Sequence, residues 1–552
     1  MYSEAAGIGR IVPTAVAVPV DADDVVTLVR WAWEGSLSLV PRGSGTSMAS
    51  GAIGPGVIVD LSRMKDIGEP DAEGRSIWVG PGALRGDIND RAKTSGLRFP
   101  VDPSSGRYCT IGGMVSTNAA GARSLRYGAT REWVMALDCV FDDGSRAVIR
   151  RGNASRVGET RSSAMKAGDK DEAVSTGDDF LAIPALQRFA LAAKGSLDGA
   201  GLDETASHRG VFKESSGYGL AAYMESGDVV DLIVGSEGSL AIVVGVQLRL
   251  AELPAATAGV LAAFASLDDA VRAAARARAA EAVACELLDR TFLEVAAEGS
   301  NPIEALADVP ADTDAVLLAE VEGSSGTDAQ LLADSLVSVF RDSGATSVRL
   351  ASSVEEQHEI WELRHAASPI LARLDPSLKS MQFIEDCAVP PESLADFVRG
   401  VRGALDRRRV RGVIFGHAGD AHVHVNPLID VTRTGWRGDV AGLLDEIVAL
   451  TSSFGGTLAG EHGDGRLRTP LLPRVWSEAA IALFAIVKLA FDPRGILNPG
   501  VKVPLDGQQP IGDIKYDPSL APLPSDARAV LDRISEQRAY SELRLALLEG
   551  PG

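Results

Sequence analysis

Four of the seven histidines in this 552-residue chain fall between positions 417 and 462, where imidazoles, carboxylates and glycines alternate. The first stretch reads Gly416–His417–Ala418–Gly419–Asp420–Ala421–His422–Val423–His424–Val425–Asn426. The second reads Gly460–Glu461–His462–Gly463–Asp464–Gly465–Arg466. His422, His424 and Asn426 share strand parity and can project from one face. His417 can approach across a glycine turn. Two imidazoles and a carboxylate make a divalent-metal site with positions open to substrate. The competing reading is a set of hydrogen-bonded histidines in a turn-rich surface. His208, beside Arg209, has no such local support, and His358 and His365 read as ordinary helix residues.

Two glycine-rich segments suggest a second chemistry. Pro41–Arg42–Gly43–Ser44–Gly45–Thr46–Ser47 follows a small apolar strand. Gly43 and Gly45 permit positive φ, so backbone N–H groups can converge on an anion, and Ser44, Thr46 and Ser47 add hydroxyl donors. Many surface turns share this composition. Thr110–Ile111–Gly112–Gly113–Met114–Val115–Ser116–Thr117–Asn118–Ala119–Ala120–Gly121 is longer and equally small in side chain. Its backbone can approach a flat cofactor and its phosphates without collision. Neither segment is a GxGxxG opening a βαβ unit or a GxxxxGK(S/T) loop, which disfavours a nicotinamide fold and a P-loop kinase or ATPase.

The elements that must carry these segments can be read from periodicity. Strands are predicted at 57–61, 76–79, 136–141, 146–150, 231–235 and 240–250, with Asp142–Asp143–Gly144–Ser145 as a hairpin turn. A helix starts after Asp21. Beyond residue 250 the pattern predicts helices at 267–288, 329–340 and 391–405, strands at 315–322, 347–351 and 409–416, and a last helix at 526–549. At about 150 residues per domain the length implies two to four domains. The apolar fraction of 45% and charged fraction of 23% are those of a folded chain. A net charge of −21 opposes nucleic-acid binding and attachment to anionic membranes. Cys109, Cys139, Cys285 and Cys387 are isolated, which excludes a disulfide framework or a chain-borne iron–sulfur cluster and suits a reducing compartment.

The N-terminal segments resemble the flavin-binding domain of the vanillyl-alcohol oxidase or PCMH type. The resemblance makes residues 42–47 the pyrophosphate loop and extends the second segment through Arg123 to Tyr127–Gly128. A third match is Gly235–Ser236–Glu237–Gly238–Ser239–Leu240. It implies FAD between two subdomains, contacted by Arg42, Gly43, Ser44, Gly45, Thr46, Ser47, Thr110, Gly112, Gly113, Ser116, Thr117, Asn118, Gly121, Tyr127, Gly128, Glu237, Gly238, Ile242 and Asn498. No histidine lies in the 42–47 loop, so the implied FAD is noncovalent.

Residues 251–504 resemble the C-terminal domain of FAD-linked D-2-hydroxy-acid dehydrogenases. The family's GHxGDGNxH stands here as 416–424 with Ala421 and His422 in place of Gly and Asn. Its GEHGxG stands as 460–465, and its ending motif as Phe491–Asp492–Pro493–Arg494–Gly495–Ile496–Leu497–Asn498–Pro499–Gly500. The implied fold is α+β: a two-subdomain FAD domain (1–250), a substrate and metal domain (251–504) and a C-terminal extension (505–552). The resemblance makes His417, His424 and Glu461 ligands of a divalent metal, with zinc expected, and His462 the catalytic base. Arg364 would bind substrate carboxylate, with Lys379 and Asn426 beside it. The expected reaction is oxidation of D-lactate, or alternatively D-2-hydroxyglutarate or glycolate. A noncatalytic flavin- and metal-binding subunit of a redox complex is the alternative of a different class. Electrons would pass to a separate iron–sulfur subunit, a quinone or a cytochrome. A homodimer and a cytoplasmic setting, reached at the membrane face only through a partner, complete the expectation.

Overall fold

The computed structural model describes the chain except residues 153–181, 201–206, 298–303, 308, 366–376, 538–539 and 550–552. Strands β1 (Ala15–Ala17), β2 (Leu39–Arg42) and β3 (Val57–Asp60) form a parallel sheet in the order β1-β3-β2. The helix Ala22–Gly35 connects β1 to β2. Asp21 caps it, accepting from the backbone of Asp23 and Asp24, and those two carboxylates face the positive end of the helix dipole. Val25, Val29 and Ala32 recur at helical spacing and pack on Leu39, Val57 and Val59. This packing fixes the end of β2, from which the 43–47 loop departs.

The second subdomain is an antiparallel sheet of β4 (Ser76–Val79), β6 (Val134–Val140), β7 (Arg146–Arg150) and β8 (Ile242–Arg249), in the order β4-β8-β6-β7. A short pair, β5 (Leu97–Arg98) and β9 (Ala251–Glu252), leads out of it. Thr110 caps the helix Ile111–Thr117, and Asn118 ends it in the left-handed region at φ +51°.

The C-terminal sheet has eight strands: β10 (Ala256–Phe264), β11 (Ala284–Asp289), β12 (Ala315–Gly323), β13 (Ser347–Ala351), β14 (Leu378–Ser380), β15 (Cys387–Ala388), β16 (Gly412–Gly416) and β17 (His422–Asp430). Their order is β13-β10-β12-β11-β16-β17-β14, with β15 also on β17. Ala315, Leu317, Ala319 and Val321 of β12 pack under the helices Leu267–Ala279 and Gly326–Asp342. Val316 and Leu318 lie in the core on the opposite face. That second face ends in Glu320 and Glu322, which receive Arg123 and Arg98 of the first domain. A strand buried on both sides thus becomes acidic where the domains meet.

After the metal-type motif the chain returns. The helix Glu478–Phe491 packs into the core of the antiparallel sheet of the first domain, and Leu497 bridges to Leu39 beside β2. The segment after residue 504 also packs back: Ile514 bridges to Gly9, and helices Ser525–Gln537 and Glu542–Glu549 follow.

Three sequence expectations need correction. The strand expected at 231–235 is not formed: Val229–Ile233 is a short helix whose five residues, Asp231 included, are all buried, so no exposed side marks a period. The helix predicted over 267–288 stops at Ala279, and Ala284–Asp289 is β11. The last helix is two. No helix among the described residues is long and apolar enough to cross a membrane.

Candidate active site

A cavity of about 830 Å³ runs from the 43–47 loop to the histidine cluster. At its first end, Gly45 takes φ +82°. Gly43 is required for another reason, since the Thr110 hydroxyl fills the space a Cβ would need. The Ser47 hydroxyl lines the cavity, is buried, and has no hydrogen-bond partner. An orphaned donor on a loop of backbone amides fits a pyrophosphate. Arg42 is buried and donates to the Glu4 carbonyl. Burial and the adjacent Arg544 lower its pKa to about 9. Arg544 lies behind the loop, donating to the carbonyls of Ser44 (2.6 Å) and Gly43 (2.9 Å) and to the Asp60 carboxylate (3.0 Å).

At the other end, the β16–β17 turn brings the histidines together. Gly416 ends β16 at φ +141°, against the backbone of His424 and His422. Ala421 sits in the left-handed region at φ +54°, at a cost of about 1 kcal/mol relative to glycine. His417 Nε2 and His424 Nε2 both approach Glu461 Oε1, at 3.1 and 3.4 Å. His417, His422, His424 and Glu461 each present a ligand atom within 4.8 Å of the others. A buried set of nitrogens and one carboxylate oxygen fits a divalent ion. Lys213 holds the second Glu461 oxygen at 3.2 Å and donates to the Gly121 carbonyl, joining the cluster to the first domain.

Each imidazole is oriented from outside. His417 Nδ1 pairs with Glu286 Oε1 at 2.5 Å, His422 Nε2 with Asp386 Oδ1 at 2.9 Å, and His424 Nδ1 with the Glu385 carbonyl at 2.8 Å. Burial dominates at His422 and lowers its pKa to about 3, so the ring is neutral. His462 lines the cavity with its ring stacked on that of His424 at 5.3 Å. Its Nδ1 faces Glu385 Oε1 at 3.1 Å. Burial pulls its pKa down, but Asp386, Glu385 and Glu461 outweigh burial and raise it to about 9. Arg468 pairs with both Glu385 and Asp386 and holds that acidic pair in place.

Two family models match this chain: "FAD binding domain" over residues 13–150 and "FAD linked oxidases, C-terminal domain" over residues 253–501. The chain belongs to the FAD-linked oxidases. It is 28% identical to the glycolate oxidase subunit GlcD of Bacillus subtilis (strain 168), with 88% of each chain covered. It is 29% identical to the D-2-hydroxyglutarate dehydrogenase of Pseudomonas putida over 97% of this chain and 52% of that protein. The chain thus spans about half the length of that relative. In fold it is similar to 4-ethylphenol oxidase from Gulosibacter chungangensis, with a TM-score of 0.60, 15% identity and 89% of each chain covered.

As in a family built on FAD, the loop residues 42–47, with Thr110, Gly112, Gly113, Ser116, Thr117, Glu237, Gly238 and Ile242, all line the cavity of this chain. Arg364, Lys379, Asn426, His424, Glu461 and His462 line the same space. His417 stands in the cluster behind that wall. Five expected flavin contacts lie elsewhere. Tyr127, with Gly128 after it, turns to the domain seam and bonds Glu322. The Asn118 amide oxygen accepts from the Arg131 backbone. Gly121 packs against the Asp102 carbonyl. Asn498 spans the carbonyls of Gly51 and Glu237.

Glu237 has a role that no motif announces. Its carboxylate accepts from the Asp464 and Gly465 amides and pairs with Lys502, tying the flavin end of the cavity to the 460–465 loop. Glu286 was missed altogether. It is fully buried and pairs with Arg364 Nε at 2.6 Å as well as with His417. A lone carboxylate inside the apolar run Ala284–Cys285–Glu286–Leu287–Leu288 was its sequence signal. Lys213 and Arg544 gave none.

Proposed function

We propose that this chain oxidises a D-2-hydroxy acid bearing a second carboxylate, of the D-2-hydroxyglutarate type, to its 2-oxo acid. The observation that carries this reading is a pair of cations: Arg364 and Lys379, two of the six Lys and Arg side chains that line this cavity, both border the space that His462 enters. Lys379 lies over the Tyr516 ring at 5.7 Å and makes no ion pair among the described residues. The substrate choice therefore moves from D-lactate to the diacid.

Arg364 binds the carboxylate beside the reacting carbon, its Nε held by Glu286 and its guanidinium over Phe415 at 5.0 Å. Among the described residues this leaves its remaining nitrogens for a planar anion. Asn426 orients the 2-hydroxyl, and Lys379 receives the distal carboxylate. His462 takes the hydroxyl proton. With its pKa raised to about 9 the ring carries a proton near neutral pH, and a divalent ion held by Glu461 would lower that affinity toward the neutral form that accepts. When bound, FAD supplies the two-electron acceptor for the C2 hydride, and a divalent ion at His417, His424 and Glu461 supplies charge that favours the alkoxide. Electrons then leave for a separate acceptor, an iron–sulfur subunit, quinone or cytochrome.

The test is anaerobic flavin bleaching with D-2-hydroxyglutarate, D-lactate and glycolate. The diacid should bleach fastest, and Lys379→Met should slow the diacid alone by about 10-fold. Faster bleaching by D-lactate, or an equal effect of Lys379→Met on all three acids, would overturn the diacid. The Bacillus relative favours glycolate as the second reading. His462→Ala should keep FAD and lose bleaching.

A further inference from the structure

We propose that His422 is a third imidazole donor of the metal centre, so that this chain binds its ion through three histidines and Glu461. The inference rests on the metal reading above and changes its ligand set at a position where the family pattern carries asparagine.

The geometry places His422 beside the other two imidazoles. Its ring lies 4.8 Å from that of His424 and 5.4 Å from that of His417. One of its ring nitrogens falls within the same 4.8 Å group as His417, His424 and Glu461. A metal-bound histidine usually gives its other ring nitrogen to a carboxylate or a backbone carbonyl. All three rings follow that rule here: His417 to Glu286, His424 to the Glu385 carbonyl and His422 to Asp386.

The remaining nitrogen of His422 is unusual. The residue is fully buried and its Nδ1 has no hydrogen-bond partner. An unsatisfied buried acceptor costs about 1–3 kcal/mol, and a ligand bond removes that cost. The surroundings are also shaped for the ring, since Gly460 lies so close that any side chain there would strike the imidazole. A residue that only filled space would need no such vacancy beside it, nor a carboxylate to orient it.

Three imidazoles and one carboxylate favour nitrogen-seeking late first-row ions such as Zn²⁺ or Co²⁺ over Mn²⁺ and Mg²⁺. The experiment uses the FAD-loaded full chain and Zn²⁺ as the probe. X-ray absorption should count three imidazoles on zinc in the wild type and two in His422→Asn. Competition with a chromophoric chelator should show zinc affinity falling about 10-fold or more in that variant. FAD content reports that the variant is folded, and His422→Gln provides a second one. Two imidazoles on wild-type zinc, or unchanged zinc affinity in folded His422→Asn, would overturn the proposal while leaving the His417–His424–Glu461 site intact. A wild-type chain that takes up no zinc would overturn both.

Discussion

Glu286→Gln is the substitution that most directly separates an organised site from a cluster of polar residues. Burial raises the affinity of this carboxyl for protons, but His417 and Arg364 overcome burial and hold it well below the usual carboxylate range. It is therefore an anion that accepts from His417 Nδ1 at 2.5 Å and Arg364 Nε at 2.6 Å. Glutamine is nearly isosteric but has one acceptor oxygen, and its amide would face one of those two donors with another donor. One charge-assisted bond, worth ~1.5–3 kcal/mol, is lost and the other is weakened. Losing an outer partner of a metal-bound histidine lowers metal affinity ~10–100-fold, or ~1.4–2.7 kcal/mol. Arg364 loses its orienting anion in the same variant, so KM for the hydroxy acid should rise together with the zinc Kd. Zinc competition and steady-state kinetics on FAD-replete protein measure both. If Kd and KM stay within about twofold of wild type, Glu286 does not organise the site and the reasoning fails.

Asp289, at the end of β11, is raised to about 7 by burial, against its bonds to the Phe292 backbone and Arg402. Its folded-state pKa lies above its unfolded value, so stability falls as pH rises from ~4 and the loss is complete above about 7. Asp289→Asn should therefore raise denaturation resistance at pH 8, by at most ~4 kcal/mol, and have little effect near pH 4; a pH-independent change would contradict this. Arg544→Met leaves Asp60 buried without its ion pair, which typically costs ~3–5 kcal/mol, and frees the carbonyls of the 43–47 loop. FAD should appear in the filtrate of that variant, and adding Asp60→Asn should recover part of the lost stability. Lys213→Met should weaken zinc binding through Glu461 without shifting the flavin spectrum, and an unchanged zinc Kd would remove Lys213 from that role.

Much of the site was legible because its chemistry is concentrated in short motifs. His417, His424, Glu461 and His462 sit within two glycine-punctuated stretches; the turn between β16 and β17 joins the two histidines of the first locally, while Glu461 and His462 arrive from beyond the helix Trp436–Ser453. Strands Arg146–Arg150 and Ser347–Ala351 were read at their observed limits, since turn residues mark their ends. What escaped was non-local. Glu286 matters because β11 pairs with β16 in register, Leu287 opposite Gly416, and no local pattern encodes that pairing. Tyr127 follows a flavin-type motif, yet its hydroxyl is claimed by Arg98 and Glu322 across a seam that only tertiary packing creates. The short helix Val229–Ile233 was misread for a simpler reason, in that burial on every side erases periodicity.

The docking of Arg544 has a kinetic consequence. Leu531, Ile534 and Tyr540 line the cavity alongside the 43–47 loop, and the Tyr540 ring lies 6.4 Å from that of Tyr108, edge to face. One wall of the cofactor cavity thus comes from residues nearly 500 positions away in sequence from the loop it faces. A cofactor that occupies this end is bounded on one side by this C-terminal segment. Its residence time should then depend on how often the helices Ser525–Gln537 and Glu542–Glu549 detach as well as on its own contacts. Dissociation should accordingly track denaturant, and only weakly salt, because the Arg544–Asp60 pair is buried and little screened.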